Sequence, residues 1–151
     1  SLTLLFLVFG TLAVIMQTWG ISVLRPKFNV VNILFLGLFV RSLSFLLMPL
    51  WPSITYFVTV SILFALFNAL VQPMISTLIS LNAKPQDQGT VLGLNASYLS
   101  IYNGIGPVIA GLMVKQSQPV TYGYPLYIAG ILTFLVLALA IATRKRYNTA
   151  I

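Results

Sequence analysis

The sequence has 151 residues, 59% of them hydrophobic and 6% charged, with a mean hydropathy of +1.01; a soluble domain carries about a quarter charged residues, so this is an integral membrane protein. The formal net charge is +7, Asp87 is the sole acid, and cysteine and histidine are absent, which excludes disulfides, thiolate metal sites and any carboxylate or imidazole base inside the membrane. No metal, no cofactor and no enzymatic chemistry is therefore expected, and the positives, lying between apolar blocks, serve membrane topology with no nucleic-acid partner.

The fold class expected is all-α, a polytopic transmembrane helix bundle. A membrane-spanning helix needs about 20 predominantly apolar residues, and five segments qualify: about 2–23, 30–50, 54–81, 89–114 and 124–143. The chain enters the first directly from Ser1-Leu2-Thr3, with no initiator Met and no basic region as a signal peptide would have. A piece of a larger membrane protein is the expectation. Arg25-Pro26-Lys27-Phe28-Asn29 breaks the first span from the second, which carries Arg41 inside it. Trp51-Pro52-Ser53 precedes the third span, where Ser61, Ala65, Asn68, Gln72 and Ser76 recur at spacings of three and four and so share one helix face, with Pro73 next to Gln72. Residues 82–88 lead to the fourth span. At about 100° per residue, Gly93, Ser97, Ser100, Gly104 and Gly111 fall on one stripe of it, while Asn95, Tyr98 and Tyr102 fall on the opposite side. Gly106 and Pro107 interrupt the same helix. After residues 115–123 comes the fifth span, closed by Arg144-Lys145-Arg146.

All connections are short, so consecutive helices are antiparallel neighbours. Arg25 and Lys27, Lys84, and Arg144 to Arg146 fall on one side of the membrane, and Lys115 alone on the other. The positive-inside rule then places the C-terminus in the cytoplasm and residue 1 outside. Five spans starting outside are natural for a bundle lacking its first helix. One more helix gives six, the size of one half of many secondary transporters.

Three features carry a resemblance to the C-terminal half of a major facilitator superfamily transporter, from about helix eight to helix twelve. Gln17-Thr18-Trp19-Gly20 through Leu24-Arg25-Pro26-Lys27-Phe28 resembles the second copy of that family's glycine and basic loop motif, with Gly20, Arg25 and Lys27 as its key positions. Pro73 to Ser80, followed by Gly89 and Gly93-Leu94-Asn95, resembles the passage from helix ten to helix eleven of tetracycline-efflux-like drug:proton antiporters. Gly104-Ile105-Gly106-Pro107 through Ala110-Gly111 resembles the glycine-proline block of helix eleven. The match covers the whole chain in order.

The resemblance implies a multi-pass protein of the plasma membrane that exports hydrophobic or cationic small molecules by alternating access. Its partners are the substrate, the lipid bilayer and the N-terminal half of the same transporter. It also implies that Asn68, Gln72, Asn95, Tyr98 and Tyr102 line the substrate cavity. Polar groups in hydrocarbon need partners, so the alternative is that they bind neighbouring helices. Gly93, Ser97, Ser100, Gly104, Gly106, Gly111, Pro73 and Pro107 are assigned to helix packing and bending. Arg41 either meets an acid outside this chain or snorkels toward the outer interface, and a peripheral position favours snorkelling. Gln17, Lys84 and Asp87 read as ordinary loop residues. A proton antiporter needs an intramembrane carboxylate, which must then lie in other helices. The competing readings are a major facilitator importer and a non-transporting scaffold that binds partner helices.

Overall fold

The computed structural model describes residues 2–114, 118 and 122–144, and every regular element among them is helical. The first rod runs as α1 (Leu2–Ile15), a π-helical turn (Met16–Gly20) and α2 (Ile21–Leu24). Helix α3 (Val30–Leu47) continues into a 3-10 turn (Met48–Leu50). It is followed by α4 (Ile54–Asn82), α5 (Gln88–Met113) and α6 (Tyr124–Ala142). Helix thus covers each of the five expected segments, with ends shifted by a residue or two. Among the described residues no side chain caps a helix start: Asn29 and Ser53 precede α3 and α4 in extended conformation without capping bonds. Proline and the polar connections end the helices, and apolar length sustains them.

Helix α3 is the centre, packed along α4 on one side and α6 on the other, while α1 and the π turn lean on α4. Two glycines set these contacts. A Cβ at Gly37 would lie 3.0 Å from Val71 Cγ2 and 3.3 Å from the Phe67 carbonyl oxygen, and one at Gly130 would lie 2.7 Å from Leu46 Cδ2. The Ser42 hydroxyl, fully buried, donates to the Gly130 carbonyl over 3.2 Å. Ile33, Leu34, Leu38, Leu70, Val71, Met74 and Leu137 fill the core between the three helices. In lipid there is little hydrophobic gain in pairing helices, so close backbone approach and dispersion hold them.

Side-chain pairs fix the directions. Tyr56 at the head of α4 donates to the Leu47 carbonyl at the tail of α3 (3.1 Å), and Arg144 after α6 donates to Asn32 Oδ1 near the head of α3 (2.9 Å). A Cβ at Gly123 would lie 3.2 Å from Pro49, so α6 begins where α3 ends. Both α4 and α6 therefore run antiparallel to α3, and Arg25, Lys27, Lys84 and Arg144 gather at one end of the bundle. Lys115, Lys145 and Arg146 lie outside the described residues.

Four stretches are long and apolar enough to cross a membrane by composition: Leu7–Leu24, Val30–Leu50, Ile54–Asn82 and Tyr124–Ala142. Helix α5 is missing from that set because Asn95, Tyr98, Tyr102, Asn103 and its glycines dilute the apolar content. It nevertheless links the two ends of the bundle, since α4 ends at one end and α6 begins at the other. Its 26 residues at 1.5 Å each give about 39 Å, ample for a hydrocarbon core of about 30 Å.

Candidate functional site

Most hydroxyls of these helices are satisfied by their own backbone. Thr11, Thr18, Ser44, Thr59, Thr77 and Thr133 each donate to the carbonyl four residues back, and Ser22 donates to that of Thr18. Ser97 and Ser100 do the same on α5, reaching Gly93 O at 3.0 Å and Ala96 O at 3.0 Å. Against that background the polar residues expected to face a cavity stand apart. Asn68 and Gln72 on α4 and Asn95 on α5 are half-buried, and none of the three bonds to another described residue. Tyr98 and Tyr102 are 65% and 60% exposed, with phenol groups equally unpartnered. An amide or phenol in a bilayer has no water to satisfy it and needs a protein partner or a wet cavity. Binding of these groups to neighbouring helices is not seen within the described residues.

The glycines of the small-residue stripe also meet no other helix among the described residues. A Cβ at Gly93, Gly104, Gly106 or Gly111 would have no described atom within 4 Å, and α5 has no buried residue. The glycines that meet another helix closely are Gly37 and Gly130. Nothing in the local pattern singles these out, because an isolated glycine in an apolar helix looks the same whether or not a helix crosses it. Pro73 and Pro107 both lie inside continuous helices. Each lacks the backbone N–H that would bond the carbonyl four residues before it, at Ala69 and Asn103.

The loop motif sits on a structure that composition does not signal. Gln17, Thr18, Trp19 and Gly20 belong to the π-helical turn, whose wide winding folds the Met16 thioether over buried Gly20: a Cβ there would be 2.5 Å from Met16 Sδ. Met16 of this turn and Ile21 at the start of α2 pack against the core. Single π turns of this kind inside α-helices are frequent at functional sites. Arg25 and Lys27 are exposed just beyond it, at the end of the bundle that carries the other described loop charges.

Arg41 is half-buried on the face of α3 that also bears Gly37 and Phe45. Its guanidinium lies over the Phe45 ring, 5.8 Å from the centroid, and Phe45 in turn packs on Phe64 of α4 at 4.8 Å. Its Nε is buried without a hydrogen-bond partner, as is the Ser61 hydroxyl. The guanidinium is thus held against the Phe45 ring. Lys84 and Asp87 form no ion pair; the Asp87 amide closes a turn on the Lys84 carbonyl at 2.9 Å. The α4–α5 connection is secured instead by Gln88 Nε2, which donates to the Ser80 carbonyl over 3.1 Å. Among the described residues no cluster of His, Cys, Asp or Glu gathers where a metal ion could be held.

The family model of the Major Facilitator Superfamily matches residues 1–150 of the chain. No curated protein and no solved structure matches it.

Proposed function

The chain belongs to the major facilitator superfamily, a family of membrane transporters, and from that premise we propose that it is the C-terminal half, about helices eight to twelve, of an efflux transporter of the drug:proton antiporter type. In this reading α5 is helix eleven. Asn68, Gln72, Asn95, Tyr98 and Tyr102 face the substrate path, where amides hydrogen-bond the substrate or its water and tyrosines offer flat amphipathic surface to aromatic or cationic molecules. The observation that carries it is the lack of any partner among the described residues for these five side chains in a bundle whose other helix hydroxyls are largely self-satisfied. The stripe of Gly93, Ser97, Ser100 and Gly104 is then left for close approach of a helix outside this chain, and Gly106, Pro107, Gly111 and Pro73 serve packing and bending as the two halves rock. The positive end faces the cytoplasm of a cell whose plasma membrane holds the protein, so the C-terminus is inside.

Efflux is tested by accumulation of fluorescent cationic drugs in cells expressing the intact protein, with Asn95→Ala and Tyr98→Ala as variants. Lower accumulation than in control cells, partly reversed by each variant at equal expression, is the expected result. Accumulation equal to that in control cells would count against export. Proton coupling further requires at least one intramembrane Asp or Glu in the intact sequence, and an intact sequence with none would remove the antiport reading.

A further inference from the structure

We propose that the positive end of the bundle carries a binding site for an anionic phospholipid, formed between α3 and α6 and read by Arg144. An open groove of about 560 Å³ runs along α3 from Asn32 to Phe39, walled by Leu24, Phe28, Phe35, Leu137 and Ile141. From Asn32 to Phe39 it covers about 10 Å of helix. Its lining is apolar except for Asn32, and that residue holds the cation: Arg144 donates to Asn32 Oδ1 at 2.9 Å, and its guanidinium lies 5.9 Å from the centroid of the Phe35 ring. The two anchors of the guanidinium are therefore both groove-lining residues, and the charge is fixed at the groove mouth while Arg144 stays exposed. One bond to a neutral amide leaves the other N–H groups of a five-donor fork available. Arg25 and Lys27, exposed on the connection that carries Phe28, add charge of the same sign beside it.

This geometry selects a lipid by its headgroup. In a bilayer an acyl chain gains little hydrophobic energy by moving from neighbouring tails into an apolar groove, so the groove supplies shape. A phosphate, by contrast, meets a planar guanidinium able to bind two of its oxygens at once. A cation near the membrane surface attracts anionic lipid with about 1 kcal/mol, or about fivefold in affinity. Charge complementarity commits the site to an anionic lipid over a neutral one or an apolar protein helix. The site requires only that the protein resides in a membrane, and does not depend on its transporting a drug.

The test is native mass spectrometry of the intact protein released from detergent, titrated with phosphatidylglycerol and phosphatidylcholine of identical chains. Phosphatidylglycerol should bind about fivefold tighter. Arg144→Ala should erase most of that preference and Arg144→Lys retain part of it, while Leu36→Trp, which fills the groove, should weaken both lipids. Asn32→Ala releases the guanidinium from its anchor without removing the charge, and a smaller loss of preference is expected; it serves in place of Arg144→Ala if that variant fails to fold. Equal affinity for the two lipids, full preference in Arg144→Ala, or unchanged binding in Leu36→Trp would each overturn the proposal. So would a dimer mass abolished by Leu36→Trp, which would give the groove to a second copy.

Discussion

Gly37 and Gly130 lie where α4 and α6 press on α3, and any side chain added there would strike a neighbour at 3.0 Å or less. Gly93 and Gly104 on α5 look the same in sequence and meet nothing among the described residues. The polar residues divide in the same way. Ser42 in the α3–α6 contact is buried and bonded across to Gly130, whereas Asn95, Tyr98 and Tyr102 on α5 have no partner among the described residues. The packed triad is held by contacts among its own helices, whereas α5 touches α4 and α6 without burying a residue. A glycine's surroundings, and not the residue alone, decide whether it is a structural contact or an open surface.

The sharpest way to break this contrast is to load the contact glycines with bulk. Gly130→Val should destabilise the protein by about 2 kcal/mol, in the range of overpacked cores, and appear as a lower thermal midpoint in detergent. Gly37→Val should behave alike. Arg41→Leu comes next: removing a guanidinium whose buried Nε lacks a partner should stabilise by about 1 kcal/mol, seen as a higher midpoint. A lower midpoint instead would show that Arg41 pairs with an acid on a helix outside this chain.

Asn95→Ala and Tyr98→Ala should leave the midpoint unchanged yet lower transport about two- to tenfold each, the loss of one hydrogen bond worth about 0.5–1.5 kcal/mol; cellular efflux rates at matched expression measure it. A drop in midpoint with unaltered transport would move these residues from the cavity to the scaffold. Ser42→Ala should cost about 0.6 kcal/mol, the average for an interhelical bond in a membrane protein, a shift that differential scanning can resolve. Gly104→Ala should be the mildest, with no loss of stability within the chain because nothing stands within 4 Å.

Much of the bundle was legible from residue order alone. Apolar runs of about 20 residues must become helices in lipid, because no other element satisfies every backbone group within itself. Proline and polar breaks fixed their ends to within a residue or two, as at Pro52-Ser53 before α4. The π-helical turn at Met16–Gly20 was not legible, since its sequence carries no signal distinguishing it from an α-helical turn. For the candidate site, periodicity gathered Asn68 with Gln72 and Asn95 with Tyr98 and Tyr102, while their lack of partners needed coordinates.

The sequence by itself determined the membrane class, the helices, their alternating directions and the gathering of positive charge at one end, because hydrocarbon thickness and backbone hydrogen bonding act on each segment separately. Only the tertiary structure decided that α3 is the centre, that Gly37 and Gly130 are the contact glycines and that Arg144 closes on Asn32 and Phe35. It also decided that α5 runs along α4 without burying a residue. Those outcomes depend on which faces meet, and residues up to 112 positions apart, as Asn32 and Arg144 are, carry no record of each other in local pattern.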